Sequence, residues 1–175
     1  AAKAKISFVN ISPLRSDLLE ETGGTWLALR PNTDTALMLS LAYIMIVNNS
    51  YDKDFIKKYT VGFDEFASYV LGKKNNPPCT PEWASNITNI PIKEINNLAK
   101  KLTTKKTMIS MSWSLQRASR GEQPLWMGIT LACMIGQIGT AGGGFGFGYS
   151  AVNSTGDTFT KVPWKSLPQG QNNIK

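Results

Sequence analysis

Lys105-Lys106-Thr107-Met108-Ile109-Ser110-Met111-Ser112-Trp113-Ser114-Leu115-Gln116-Arg117-Ala118-Ser119-Arg120-Gly121-Glu122-Gln123-Pro124 is the stretch whose reading decides the fold. A short apolar run rich in Met and Ile rises out of a basic turn, which is the pattern of a buried strand. It closes on Ser112-Trp113-Ser114, then Gln116 and Arg117, before Gly121 breaks the chain. A helix is predicted over 122–138, followed by a glycine run over 139–148. In open α/β sheets, ligands bind outside the carboxyl ends of the strands. An indole, small hydroxyls, an amide and a guanidinium gathered there would line a polar pocket. A plain βα turn with a packed Trp and a surface Arg fits the same residues equally well.

Working outward, 5–10 reads as a first strand, with Ile11-Ser12-Pro13-Leu14-Arg15-Ser16-Asp17 as the loop at its carboxyl end. Pro13 removes an amide donor and turns Ser12 away from helix, so the strand stops there. A Ser and an Arg beside such a stop suit a ribose or phosphate, or simply a turn. A second strand is predicted over 25–29, closed by Arg30-Pro31-Asn32-Thr33-Asp34. Thr33 or Asp34 is the natural N-cap of the next helix, where a side-chain oxygen takes an orphan amide. Residues 35–47 are apolar almost all round, which calls for burial on most sides. Capping accounts for Asp34 by itself. A carboxylate at a strand's carboxyl end also matches the N1 and N2 donors of guanine in charge and geometry.

These repeated strand–loop–helix layouts predict an α/β class: a doubly wound, mostly parallel sheet flanked by helices, over 1–150. Residues 51–91 form a helical excursion, with short helices at 52–59 and 63–71 and another beginning at Pro81. Pro91 sits where a first-turn proline belongs, ahead of an apolar stripe of Ile92, Ile95, Leu98, Ala99 and Leu102. Gly128 and Gly136 permit close approach by a neighbour or an early helix end, and Gly139 supplies a left-handed cap. Gly142-Gly143-Gly144 offers backbone that can lie against a flat ligand or another domain. Residues 151–175, rich in Ser, Thr, Asn, Gln, Gly and Pro, read as an irregular polar tail or linker.

At 175 residues, 42% hydrophobic and 18% charged, the chain can bury a sizeable core. Its net charge of +7 and pI near 9.5 keep a basic nucleotide or nucleic-acid binding module without catalysis as the alternative. The lysines are scattered, however, and no RNP-like aromatic motif accompanies them. With two cysteines and no histidine, no metal-ligating residue is assigned, and a Ser-His or Cys-His nucleophile is excluded within these residues. The longest apolar stretches fall short of the roughly 20 residues of a membrane span. The first ten residues lack the zones of a signal peptide, and no Met begins them, so a piece of a longer protein is expected.

Several motifs, in order, carry a resemblance. They are Ser12-Pro13-Leu14-Arg15-Ser16, Leu29-Arg30-Pro31-Asn32-Thr33-Asp34-Thr35-Ala36-Leu37-Met38-Leu39, Tyr59-Thr60-Val61-Gly62-Phe63-Asp64 and Pro81-Glu82-Trp83-Ala84. Trp113-Ser114-Leu115-Gln116-Arg117 with Gly121-Glu122-Gln123, and Gly136-Gln137-Ile138-Gly139 with the glycines from Gly142 to Gly146, complete the set. Together they resemble the molybdopterin oxidoreductase superfamily, in its branch of dimethyl sulfoxide, trimethylamine N-oxide and biotin sulfoxide reductases. The resemblance implies a molybdenum bis(molybdopterin guanine dinucleotide) cofactor, held by one cofactor-binding domain of a larger enzyme. It implies that Ile11 and Ser12 lie along one dinucleotide and that Asn32, Thr33 and Asp34 grip its guanosine end. Trp113, Ser114 and Arg117 would approach the pterin, with Trp113 and Arg117 as the catalytic pair beside a small S-oxide or N-oxide.

The family's metal-ligating side chain and amino-terminal aromatics have no counterpart here, so this piece alone is expected to be inactive. Its partners would be the rest of its own polypeptide and a cytochrome-type electron donor. The resemblance further implies a bacterial enzyme of anaerobic respiration, periplasmic rather than cytoplasmic.

Overall fold

A computed structural model of the chain describes residues 6–148. The predicted tail at 151–175 lies outside the described residues. In chain order the elements are β1 (Val9–Ile11), β2 (Thr25–Leu27), α1 (Asp34–Val47), α2 (Lys53–Tyr59), α3 (Phe63–Val70) and α4 (Pro81–Thr88). There follow α5 (Ile92–Thr104), β3 (Met108–Met111), α6 (Glu122–Met134) and β4 (Gly144–Phe147). Single turns of 3-10 helix cover Arg15–Asp17 and Glu20–Thr22, and a longer one covers Trp113–Arg117.

Helix α1 is the axis of the core. Asp34 is its only charged residue, and Leu37, Met38, Leu41, Ala42 and Met45 are all buried. A helix apolar on every side needs neighbours on every side, and α1 packs against α3, α4, α5 and α6. Helix α5 shows the complementary pattern. Ile95, Leu98, Ala99 and Leu102 are buried, while its lysines and asparagines stay outside.

The sheets are parallel, as the repeated layout requires, but the described residues form two separate pairs rather than one continuous sheet. β1 pairs with β2, Val9 opposite Thr25, and β3 pairs with β4, Met108 opposite Gly144. No α-helix separates β1 from β2. Residues 12–24 make the crossover with two 3-10 turns, just about the dozen residues that a parallel return demands.

Four local readings change. The glycine run is not a free loop, because Gly144 and Gly146 alternate with Phe145 and Phe147 at the period of a strand, and the segment pairs with β3. Helix α6 stops at Met134, and the left-handed residue after its end is Gly136 (φ 66°) rather than Gly139. Asp52 sets that boundary: its side chain packs on Gly136, and its amide donates to the Met134 carbonyl at 2.7 Å. Pro91 stands at the N-cap of α5 rather than in its first turn. Finally, Thr33 occupies the N-cap position of α1, yet its side chain caps nothing.

Gly128 does admit a close neighbour. A Cβ there would run into the Met111 thioether and stand 3.0 Å from the Phe145 ring, so α6 lies directly on β3 and β4.

Candidate functional site

The loops at the carboxyl ends of β1 and β3 face one cavity of about 810 Å3. Ile11, Ser12, Asn32, Asp34 and Ser114 all border it, together with Asn10, Asp17, Ser110 and Ser112. Five of the residues named from sequence are thus brought together, from three separate loops.

Ser12 is buried and fixed from several sides. Its hydroxyl donates to the Asp17 carboxylate and accepts the Leu14 amide at 3.1 Å. Its carbonyl accepts the Trp26 indole N–H at 2.8 Å, and its amide donates to Leu27 at 3.3 Å. Pro13, with no amide to offer, turns the chain out of the strand just beyond this anchor.

Asn32 takes a left-handed backbone (φ 62°), a conformation that Asn tolerates better than most residues. That turn lifts the chain from Pro31 into α1. Thr33 spends its hydroxyl on the Arg30 carbonyl, donating at 2.6 Å, while its own carbonyl accepts the first helical amides. The Asp34 carboxylate takes its one backbone hydrogen bond from its own amide. Burial raises its pKa above the ordinary aspartate value of 3.8, opposed by a hydrogen bond from its own amide. A partly desolvated carboxylate at a helix start is ready to accept from a ligand's N–H groups.

Asn32, Asp34 and Leu115 also border a second cavity of about 970 Å3, so they form a ridge between the two. Tyr59, Phe63, Phe66 and Trp126 give this second space an aromatic lining. Arg120 lines it as well, in a left-handed backbone (φ 58°), a residue to which the sequence pattern assigns no role. Its only signal was its place before Gly121 at the start of a helix.

Trp113 and Arg117 border neither cavity. Trp113 opens the third 3-10 segment, 40% exposed, with its ring 5.6 Å from that of Phe147 and its indole against Gly148. Ser112 caps this segment, accepting the Ser114 amide at 3.3 Å, and the two hydroxyls lie 2.9 Å apart. Arg117 ends the segment on the surface. Burial raises both thiols, Cys79 and Cys133, which keeps them protonated and poor nucleophiles. Among the described residues no group of three or more His, Cys, Asp or Glu could hold a metal ion, and no helix is long and apolar enough to cross a membrane.

The profile of the molybdopterin oxidoreductase family matches residues 1–172. The chain is 45% identical over 150 residues to the dimethyl sulfoxide/trimethylamine N-oxide reductase of Rhodobacter capsulatus, covering 85% of this chain and 18% of that protein. It is 43% identical to a biotin sulfoxide reductase of Cereibacter sphaeroides, covering 89% of this chain and 21% of that one. A trimethylamine-N-oxide reductase of Haemophilus influenzae is 41% identical, covering 86% and 18%. Among solved structures, acetylene hydratase from Pelobacter acetylenicus superposes with a TM-score of 0.67 at 23% identity, covering 80% of this chain and 18% of that one, a likeness of fold. The chain spans about a fifth of the length of the curated relatives it matches. By these matches the chain belongs to the molybdopterin oxidoreductase family.

Proposed function

We propose that the chain forms one wall of the molybdopterin guanine dinucleotide site in a larger reductase of S-oxides or N-oxides, within a doubly wound sheet. The observation that carries this reading is the convergence of Ile11, Ser12, Asn32, Asp34 and Ser114 on one cavity at the strand ends. The residues suit the group: hydroxyls and amides for phosphate and ribose, and one partly desolvated carboxylate, bonded only to its own amide, for guanine. When bound, the molybdenum centre supplies the redox chemistry that removes the oxide oxygen.

In this reading Asp34 accepts from the guanine N1 and N2 donors, with Asn32 and Thr33 shaping the turn around the base. Ile11 and Ser12 hold the dinucleotide's length, and Ser114 its pterin end. By resemblance alone, since both stand outside the two cavities, Arg117 is assigned to orient the S=O or N=O oxygen and Trp113, braced by Phe147 and Gly148, to wall the substrate path. A periplasmic location and a cytochrome-type donor belong to the same proposal, supported by resemblance alone. A twin-arginine leader in the full reading frame would be the check on location. The basic nucleic-acid module finds no support among relatives that are named as oxide reductases.

The full-length protein provides the test. Molybdenum and guanine are assayed per chain, alongside methyl-viologen-linked reduction of dimethyl sulfoxide, trimethylamine N-oxide and biotin sulfoxide. Asp34→Ala should lower molybdenum and guanine together; unchanged occupancy would leave Asp34 a helix-end carboxylate. Arg117→Ala should keep the metal and lower kcat/KM by about 100-fold. Unaltered kinetics would remove Arg117 from the substrate path.

A further inference from the structure

The first cavity extends beyond the polar loops, down between the two strand pairs. Successive residues of a strand point to opposite faces, so a space over one face would touch every second residue. This one touches Val9, Asn10 and Ile11 in a row, and Ile109, Ser110 and Met111 in a row. It therefore lies along the edges of β1 and β3.

The hydrogen bonds identify which backbone groups look into it. The Phe8 carbonyl accepts the Thr25 amide at 2.9 Å, and the Ser12 amide donates to Leu27 at 3.3 Å. Residues 8, 10 and 12 thus turn toward β2, and by alternation Val9 and Ile11 turn away from it. On the other side, the Thr107 and Met111 carbonyls accept the Gly144 and Gly148 amides at 3.1 and 2.9 Å. Residues 107, 109 and 111 face β4, leaving Met108 and Ser110 turned outward. Among the described residues each of these strands has one partner, so two rows of backbone donors and acceptors are left unpaired. Leu37, Met38, Leu41, Leu98, Leu102 and Leu131 complete the wall. Unpaired backbone beside so much apolar surface is costly, and the occupant must pair on both sides while being apolar itself.

A nucleotide is too polar for this apolar floor and offers no regular ladder to two strand edges at once, whereas a β-strand meets both conditions. The sequence at this chain's ends does not favour either as its source. Eight residues of this chain stand before β1, fewer than the crossover of about a dozen that a parallel neighbour needs. Residues 149–175 contain no apolar run longer than Ala151-Val152, while a strand covered on both faces reads as a continuous apolar run. The relatives, of which the chain covers 18% to 21%, leave ample polypeptide elsewhere.

We propose that a β-strand from the polypeptide preceding residue 1 lies between β1 and β3, parallel to both, and joins the two pairs into one sheet. The preceding side is favoured because strands adjacent in sequence neighbour one another about two-thirds of the time. β1 already gives one edge to its successor, β2. The inserted strand fills the apolar floor and leaves the rim of Ser12, Asn32, Asp34, Ser112 and Ser114 open for a ligand. The proposal does not depend on which cofactor the rim holds.

Residue-resolved hydrogen–deuterium exchange on the full-length protein, with and without its cofactor, tests it. The Val9, Ile11, Met108 and Ser110 amides should exchange as slowly as those of Asn10 and Ile109 in both forms. Fast exchange at those four would overturn the proposal. So would protection lost on cofactor removal, which would assign the cavity to a ligand, or protection lost on dilution, which would assign it to a second copy. As an independent check, Ser110→Pro removes one amide facing the cavity. Proline is tolerated on an open edge but not inside a sheet. Its thermal midpoint should fall well below that of Ser110→Ala, and equal midpoints would overturn the inserted strand.

Discussion

Asp34 sits in a conflict between its surroundings and its charge. Burial raises its pKa above 3.8, so the folded chain holds that proton more tightly than the unfolded chain does. The resulting stability is present in full below the unfolded value and is lost as pH rises through the folded one. Asp34→Asn, which cannot ionise, should therefore match the cofactor-free wild type near pH 3 and exceed it in thermal midpoint at pH 7. Thermal melts across that range settle the sign; a wild type more stable than the variant at pH 7 contradicts it. Ser40 poses a simpler conflict. It is fully buried on α1, and its hydroxyl has no hydrogen-bond partner. Ser40→Ala removes an unsatisfied group and improves helix propensity, so urea unfolding should show a gain of about 1 kcal/mol.

Among the elements, the glycines separate those that can yield from those that cannot. A Cβ on Gly121 would strike the Gln116 backbone where the 3-10 segment meets α6, whereas on Gly128 it would strike the mobile end of Met111. Gly121→Ala should cost about 1–3 kcal/mol, and Gly128→Ala clearly less, because a thioether can swing aside and alanine favours the helix. Equal costs in chemical denaturation would mean that Met111 is held rigidly. Asp52 caps α2, accepting the Phe55 amide at 2.8 Å, and also ties that helix to the end of α6. Asp52→Ala should cost about 1 kcal/mol or more in the same measurement. The helices α1 and α5 were legible in the sequence because their apolar periodicity reflects burial directly. β4 was not, because glycine content masked the alternation with Phe145 and Phe147. The end of α6 was not either, since Asp52, distant in sequence, decides which glycine closes it.

For the molecule as a whole, strands of three and four residues cannot stand alone, and two-stranded pairs are marginal in water. The helical core around α1 holds them in place. Met45, fully buried on α1, should accordingly control the whole fold: Met45→Ala is expected to cost about 2–5 kcal/mol in a cooperative unfolding transition. Of the site, the loops bearing Ser12, Asn32, Asp34 and Ser114 could be read from strand ends and turn residues. Their meeting in one cavity could not, because it depends on how far apart the packed helices set β1 and β3. The ridge position of Asn32 and Asp34 and the left-handed turn at Arg120 are likewise set by tertiary packing, not by the sequence pattern.

Helix α1 begins at Asp34 and reaches nearly every other helix. Whatever clasps its first carboxylate thus steadies the beam on which the rest is hung. Occupancy and resistance to proteolysis should rise together, since a ligand that binds only the folded form shifts the balance by mass action. If that ligand is the proposed cofactor, a cell starved of it would clear the empty polypeptide through its proteases.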